Sequence, residues 1–142
     1  NYAEHAIEMG SDPTREPPFY FAKPADAVVS GGADMPYPSV TTSLHHEMEL
    51  VVAIGAGGAD IAIGDALKHV WGYCAGLDMT RRDIQNEAKK TGRPWDMGKG
   101  FDHSAPMGAL APAAGVDVSK GLIELKVNGQ VRQVSDLSKL IW

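Results

Sequence analysis

The sequence has few of the features that mark secreted, nucleic-acid-binding or membrane-embedded proteins. Its 142 residues include a single cysteine, Cys74, so no disulfide can form within the chain and nothing indicates an oxidising compartment. The 13 lysines and arginines are outnumbered by 18 acidic residues and form no basic run, which argues against nucleic acid as a partner. No apolar run is long enough to span a bilayer, and no signal peptide is visible. We therefore expect a cytoplasmic protein with neither a nucleic acid nor a membrane partner.

What is present is an ordinary soluble composition, with 44% hydrophobic and 22% charged residues and a formal net charge of −5. The length suits one domain with a proper core, so we expect a single domain over residues 1–142. The chain starts at Asn1 without an initiator methionine, and Leu140-Ile141-Trp142 resembles the beginning of a helix. We expect a segment of a longer protein, truncated at both ends.

Local patterns predict more strands than helices, which favours a β-rich α+β fold. The clearest signal is Asn128-Gly129, the preferred two-residue turn of a β-hairpin, between two strand-like runs. The other predicted elements are a short helix over 1–10, a strand carrying Glu47 and Glu49, a helix over 65–70, a buried strand over 71–78, a helix opened by a capping box at 80–83 and ended by Gly92, and a loop over 95–101.

Two glutamates, Glu47 and Glu49, open an otherwise apolar run. Alternate side chains of a strand share a face, so both carboxylates point the same way. The opposite face, with Met48, Leu50, Val52 and Ile54, is predicted to pack in the core. Two like charges beside a core repel each other and lose hydration unless a cation lies between them. The pattern therefore indicates a metal site.

Asp78 is a plausible third ligand, although an isolated aspartate at the end of a strand is more often a turn residue. Three carboxylates and water make a hard oxygen site that suits Mg²⁺ or Mn²⁺ and is poor for Zn²⁺. Glu-x-Glu is also common on solvated strands, so its spacing alone is weak evidence.

Three further side chains have both an ordinary and a functional interpretation. Arg82 and Gln85 share a helix face at positions i and i+3, either on a solvated surface or as an anion clamp beside the metal. Lys99 lies between two glycines and, taken alone, is expected to be an exposed lysine.

The N-terminal pair His5 and Glu8 would share a face if this turn is helical. Such a pair is either an acid–base dyad or a surface salt bridge, and the spacing alone favours the salt bridge. His45 and His46 precede the ligand strand and are interpreted as supporting or structural residues.

Five ordered stretches together resemble the fumarylacetoacetate hydrolase family and cover most of the chain, from Asn1 to about Gly108. They are Asn1–Met9, Phe21-Ala-Lys23-Pro24, His45–Leu50, Leu77–Gln85 and Gly92–Asp102. The run Arg15–Val29 looks most like the fumarylpyruvate hydrolase and acylpyruvase members. The resemblance implies a β-rich roll with a few helices that forms a homodimer.

The resemblance also implies roles for individual residues. Glu47, Glu49 and Asp78 would bind one divalent ion, Mg²⁺ or Mn²⁺. His5 and Glu8 would form a catalytic dyad on a lid over about residues 1–18. The substrate pocket would be lined by Arg82, Gln85 and Lys99, with Lys99 also taking part in catalysis.

The implied activity is hydrolysis of the C–C bond of a 2,4-dioxo acid, such as fumarylpyruvate, to a carboxylic acid and pyruvate. Oxaloacetate decarboxylation or keto–enol isomerisation at the same metal is the alternative within enzymes. A catalytically silent fragment or a metal-binding structural domain is the alternative outside them.

Overall fold

The computed structural model describes residues 1, 2, 7, 12 and 17–141. The chain divides into two units, one made of Asn1–Tyr20 with Asp117–Trp142 and the other of Phe21–Val116. The predicted short helix over 1–10 and the predicted lid lie largely outside the described residues. Whether 1–142 is one catalytic domain stays a prediction. In the described part of the chain, no helix is long and apolar enough to cross a bilayer.

The unit Phe21–Val116 contains short strands around one longer antiparallel pair. Its strands are β1 (Val28–Val29), β2 (Leu44–His45), β3 (Met48–Ile54), β4 (Val70–Leu77), β5 (Thr80–Arg81), β6 (Ala105–Pro106) and β7 (Ala111–Pro112). Its helices are α1 (Arg82–Thr91) and α2 (Asp96–Lys99), with 3-10 helices at Ala25–Ala27 and Ile63–His69. This strand-rich mixture with few helices confirms the predicted α+β class.

The longest sheet has the order β3-β4-β7 and is antiparallel throughout. β4 confirms the predicted buried strand, and two of its glycines are required by close neighbours. A Cβ at Gly72 would lie 2.2 Å from the carbonyl oxygen of Ala111 on β7, and one at Gly76 would lie 2.5 Å from Val51 on β3. Both distances are shorter than a real Cβ contact, so glycine is what lets the three strands approach.

The outer half of β3 corrects a sequence prediction. Met48 and Leu50 are half-buried as expected, but Val52 and Ile54 are 44% and 66% exposed. The strand also has an irregular register between Ala53 and Ile54. Alternation identifies side chains that share a face, but it does not establish that another layer of the protein covers that face. The prediction that this whole face is core is therefore wrong.

Helix α1 ends as predicted but does not begin as predicted. Gly92 follows it in the left-handed conformation, with φ of 64°, where glycine costs least. The proposed capping box is wrong, because Thr80 is paired within β5 and its hydroxyl donates to Asp78 O rather than accepting from the helix. Asp83 instead accepts hydrogen bonds from Thr41 Oγ1 and the backbone N–H of Thr42.

Two other local predictions also need correction. Residues 95–101 are not a simple loop, because they include the one-turn helix α2. Its Gly98 packs against the backbone of Gln85 in α1, where a Cβ would come within 3.1 Å. Packing between helices therefore fixes a turn that local propensity does not predict. The helix expected over 65–70 is present as the 3-10 helix Ile63–His69.

The second unit contains the predicted hairpin. β8 (Leu122–Val127) pairs with β9 (Gln130–Asp136), and a 3-10 helix follows at Leu137–Lys139. Asn128 and Gly129 have φ of 52° and 77°, the positive values that this two-residue turn needs. The hairpin prediction is confirmed.

The interior of Phe21–Val116 is unusually polar. Its apolar core includes Ala27, Val29, Tyr73, Cys74 and Phe101. The largest fully buried side chains among the described residues are nevertheless Lys99, Thr80 and Ser104, and Asp78 and Gln85 are also buried. Burying polar groups costs free energy unless they are hydrogen-bonded or paired. Their concentration near the end of β4 indicates a functional site whose polar groups are held by one another.

Candidate metal centre

Three carboxylates meet where β3 begins and β4 ends. The antiparallel register pairs Met48 with Leu77, and the backbone N–H of Asp78 donates to Glu47 O at 2.9 Å. The residue before one strand is therefore held beside the residue after the other. One oxygen from each of Glu47, Glu49 and Asp78 lies within 4.8 Å of the others. The structure thus brings all three predicted metal ligands together.

Lys99 lies in this cluster and is only 1% exposed, so the expectation from its glycine-flanked sequence is wrong. Its Nζ donates to Glu47 Oε2 at 2.9 Å, to Asp78 Oδ2 at 2.6 Å and to Thr80 Oγ1 at 2.7 Å. An ammonium has three protons, and each has an oxygen acceptor here. Helix α2 therefore supplies a fixed positive charge beside the carboxylates.

Lys23 is a second cation at the same place, half-buried, and sequence reasoning gave it no role. Its Nζ lies 2.7 Å from Asp78 Oδ1, donates to Met79 O at 3.0 Å and also donates to Lys99 O. Burial lowers the pKa of Lys23, and the neighbouring carboxylate of Asp78 only partly offsets this effect. The only signal in the sequence was its place in a stretch shared with the family, because local sequence does not show that a lysine is buried.

Arg82 and Gln85 lie on one face of α1, as predicted. Arg82 Nη1 donates to Gln85 Oε1 at 2.6 Å, and its Nη2 pairs with Glu47 Oε1. Arg82 is thus bound to one of the predicted ligands and oriented by the buried amide of Gln85. Whether either residue binds substrate stays a prediction.

The two glutamates have opposite pKa shifts. Burial alone would raise the pKa of Glu47, but the charges and hydrogen bonds of Lys99 and Arg82 outweigh it, so its pKa is lowered. Glu49 is exposed by surface area, yet surrounding protein partly dehydrates its carboxylate. This dehydration and the negative charges of Asp78 and Glu47 raise the pKa of Glu49 to about 7. The ion pairs of the cluster are made by Glu47 and Asp78, so among the described residues the charge of Glu49 is the least offset.

The donor set fits a divalent cation. All three side chains offer carboxylate oxygens, the hard ligands that Mg²⁺ and Mn²⁺ prefer. The buried Asp78 Oδ1 lies 2.7 Å from Lys23 Nζ, and a carboxylate oxygen has two lone pairs, so this one contact leaves a lone pair free. A buried carboxylate oxygen of this kind is available as a ligand. The cluster is therefore able to hold one divalent ion.

The predicted dyad cannot be placed, because His5 and Glu8 lie outside the described residues. His45 is exposed in β2, and His46 is half-buried just before Glu47. A cavity of about 470 Å³ in the same unit is lined by residues including Tyr37, Arg81 and Phe101. Its lining includes none of the three carboxylates, although Phe101 also lies beside Lys23, with its ring centroid 5.6 Å from Nζ.

The fold and the acidic cluster together define a β-rich α+β domain built around a divalent-metal site. The chain belongs to the fumarylacetoacetate hydrolase family, since the family model described as fumarylacetoacetate (FAA) hydrolase C-terminal matches residues 1–142. This finding confirms the family predicted from the five sequence stretches.

Individual relatives agree with this assignment. A fumarylpyruvate hydrolase of Ralstonia sp. is 46% identical over 131 residues, which is 92% of this chain and 68% of that protein. The human mitochondrial oxaloacetate tautomerase FAHD1 is 41% identical over 143 residues, 100% of this chain and 64% of that protein.

A solved structure is similar over the whole chain. The fumarylpyruvate hydrolase of Pseudomonas aeruginosa, in complex with Mn²⁺ and pyruvate, has a TM-score of 0.93 and 56% sequence identity. The match covers 100% of this chain and 63% of that one. The chain therefore spans roughly two thirds of the length of these relatives.

Proposed function

We propose that this chain carries the metal centre of a hydrolase that cleaves a 2,4-dioxo acid, an acylpyruvate such as fumarylpyruvate, to a carboxylic acid and pyruvate. The observation that carries the proposal is the cluster of Glu47, Glu49 and Asp78 with the buried ammonium of Lys99 bonded to two of its members. The fumarylpyruvate hydrolase relatives support the substrate class, and the pyruvate in the Pseudomonas structure matches one expected product.

The charge of the site favours a dianionic substrate. Three carboxylates face three cationic side chains, Lys23, Lys99 and Arg82, all within ion-pair distance of the cluster. One divalent cation would leave two positive charges in excess, which two carboxylates of a dioxo acid would neutralise. Fumarylpyruvate and oxaloacetate both carry two carboxylates, whereas acetylpyruvate carries one.

When bound, Mg²⁺ or Mn²⁺ would supply Lewis acidity to the substrate's keto and enolate oxygens. Lys99 would add a fixed positive charge beside the oxygen on which the enolate forms, because its ammonium is held without freedom to move away. Arg82 would bind a substrate carboxylate, since its guanidinium is already oriented by Gln85.

The proposal gives His5, oriented by Glu8, the role of general base, and this assignment rests on the resemblance alone. His5 takes a proton from water, and the oxygen adds to the C4 carbonyl. The C3–C4 bond then breaks, leaving a carboxylic acid, and its electron pair passes to the pyruvate fragment as an enolate. The proton that His5 took from water is then returned to C3 of the enolate, which gives pyruvate.

Oxaloacetate keto–enol isomerisation is the second candidate, because the FAHD1 relatives are named as oxaloacetate tautomerases. They match this chain over 143 residues at 40–41% identity, compared with 131 residues at 46% for the fumarylpyruvate hydrolase of Ralstonia sp.. Both isomerisation and decarboxylation of oxaloacetate need Lys99 and the metal centre to stabilise an enolate, but neither needs an attacking water. His5 would then matter less than Lys99.

A substrate panel on the full-length protein loaded with Mn²⁺ separates these activities. We expect pyruvate release from fumarylpyruvate, slower release from acetylpyruvate, and loss of hydrolysis by about 10²–10⁴-fold in His5→Ala with Mn²⁺ affinity unchanged. Tautomerisation of oxaloacetate without acylpyruvate cleavage would establish the second candidate instead. Inactivity on every substrate would indicate a structural domain.

A further inference from the structure

We propose that Lys23 is a positioning residue of the metal centre, which fixes both the Asp78 carboxylate and the segment that carries the Lys99 ammonium. This inference rests on the proposed metal centre but not on the identity of the substrate. Lys23 precedes β1, far in sequence from both residues that it contacts. Its role is therefore visible only in the folded chain.

The first contact is with the carboxylate of Asp78, whose two oxygens face different lysines. Lys23 Nζ lies 2.7 Å from Oδ1, and Lys99 Nζ lies 2.6 Å from Oδ2. A carboxylate with a cation at each oxygen is restrained in its rotation. The ligand is thus held in one orientation before any metal ion binds, which lowers the cost of ordering it.

The second contact is with the backbone on either side of the site. Lys23 donates to Met79 O, next to Asp78, and to Lys99 O, at the end of α2. Lys99 O also accepts from the buried hydroxyl of Ser104, whose own carbonyl accepts from the backbone N–H of Met79. This buried network ties the end of β4 to α2, so removing Lys23 leaves its carbonyl acceptors short of a donor.

A charge-balancing role alone makes the opposite prediction. A cation beside a divalent metal repels it, so removing a lysine that only balances charge should tighten metal binding. Removing a residue that orients a ligand should weaken it, typically by 10–100-fold. The sign of the change in Mn²⁺ affinity therefore distinguishes the two roles.

The test measures Mn²⁺ binding to the full-length protein by electron paramagnetic resonance. Lys23→Met keeps the length of the side chain and removes its charge and its donors. We expect its Mn²⁺ affinity to fall by about 10-fold or more and the spectrum of bound Mn²⁺ to broaden as Asp78 loses its fixed orientation. Lys68→Met is the matched control, because Lys68 is exposed and, within the described part of the chain, pairs only with Asp65 on the surface.

Circular dichroism separates a local change from loss of the fold, and Lys23→Gln, which keeps an N–H donor for the carbonyls, serves if Lys23→Met does not fold. Unchanged or tighter Mn²⁺ binding with the wild-type spectrum would overturn the inference. Failure of the wild-type protein itself to bind Mn²⁺ would instead refute the proposed function.

Discussion

Glu49 is the carboxylate of the centre that gains most from a metal ion. Lys99 pairs with Glu47 and with Asp78, whereas no ion pair of Glu49 is found among the described residues. The resulting repulsion and dehydration raise the pKa of Glu49 to about 7. A divalent cation would reverse both effects, because an opposite charge nearby favours the ionised carboxylate.

At the level of single residues, we predict that Glu49→Ala abolishes detectable Mn²⁺ binding in the full-length protein. The two remaining carboxylates, Glu47 and Asp78, are already paired with cations and would bind a metal ion weakly. Isothermal titration calorimetry measures the affinity directly. Glu87→Ala is the control, since Glu87 is an exposed carboxylate of α1 outside the cluster. A Glu49→Ala protein with wild-type Mn²⁺ affinity would rule out the ligand assignment.

Helix α1 carries Arg82 and Gln85, and Asp83 holds the beginning of this helix to the segment before β2. Its carboxylate accepts from Thr41 Oγ1 at 2.6 Å, from the backbone N–H of Thr42 at 2.9 Å and from that of Ile84 at 3.0 Å. These hydrogen bonds, led by that of Thr41, lower the pKa of Asp83 from 3.8 to about 2. The position of the helix therefore depends on an ionised aspartate.

The lowered pKa predicts a pH-dependent loss of stability in Asp83→Asn. A carboxyl whose pKa is lower when folded contributes stability above its unfolded value, and this contribution is lost as the pH falls through the folded value. Asp83→Asn should unfold at lower urea than wild type at pH 7, and the difference should shrink between about pH 4 and pH 2.

Urea midpoints measured across that range test this, with Asp65→Asn as the control because Asp65 is exposed and its carboxylate, among the described residues, bonds only to Lys68 on the same 3-10 helix. A difference that does not change with pH would mean that Asp83 contributes through packing and not through its charge.

Metal binding should couple to the stability of the whole protein, because the three carboxylates come together only when β3 and β4 are paired. A ligand that binds only the folded state stabilises it by about 2.7 kcal/mol at 100 times its dissociation constant. The homodimer and the cytoplasmic location are also properties of the whole protein, and both stay predictions.

Removing the metal with a chelator should therefore lower the melting temperature of the full-length protein by roughly 5–10 °C, and adding Mn²⁺ or Mg²⁺ should restore it. Differential scanning calorimetry gives the shift, and Glu49→Ala should show none. A wild-type melting temperature that is the same with and without Mn²⁺, under conditions where calorimetry shows binding, would contradict this coupling.

Parts of the fold could be predicted because their signal is local. Asn128-Gly129 defines a turn by its backbone preferences, Gly92 ends α1 in a conformation that glycine adopts readily, and β4 is an apolar run of strand length. The sequence could not predict the one-turn helix α2 or the exposure of Val52 and Ile54, since both depend on which distant segments pack nearby.

By itself, the sequence determined the family, through five ordered stretches of residues. It also indicated three acidic side chains that suit a hard divalent ion, because donor chemistry and, for Glu47 and Glu49, strand periodicity can be read from neighbouring residues. Only the tertiary structure decided which cations accompany them. Lys23 and Lys99 look like ordinary surface lysines in the chain, and they become partners of Asp78 because folding brings Lys99 from 21 residues away and Lys23 from more than 50. Burial and long-range pairing set the electrostatics of the site, and neither can be read from local sequence.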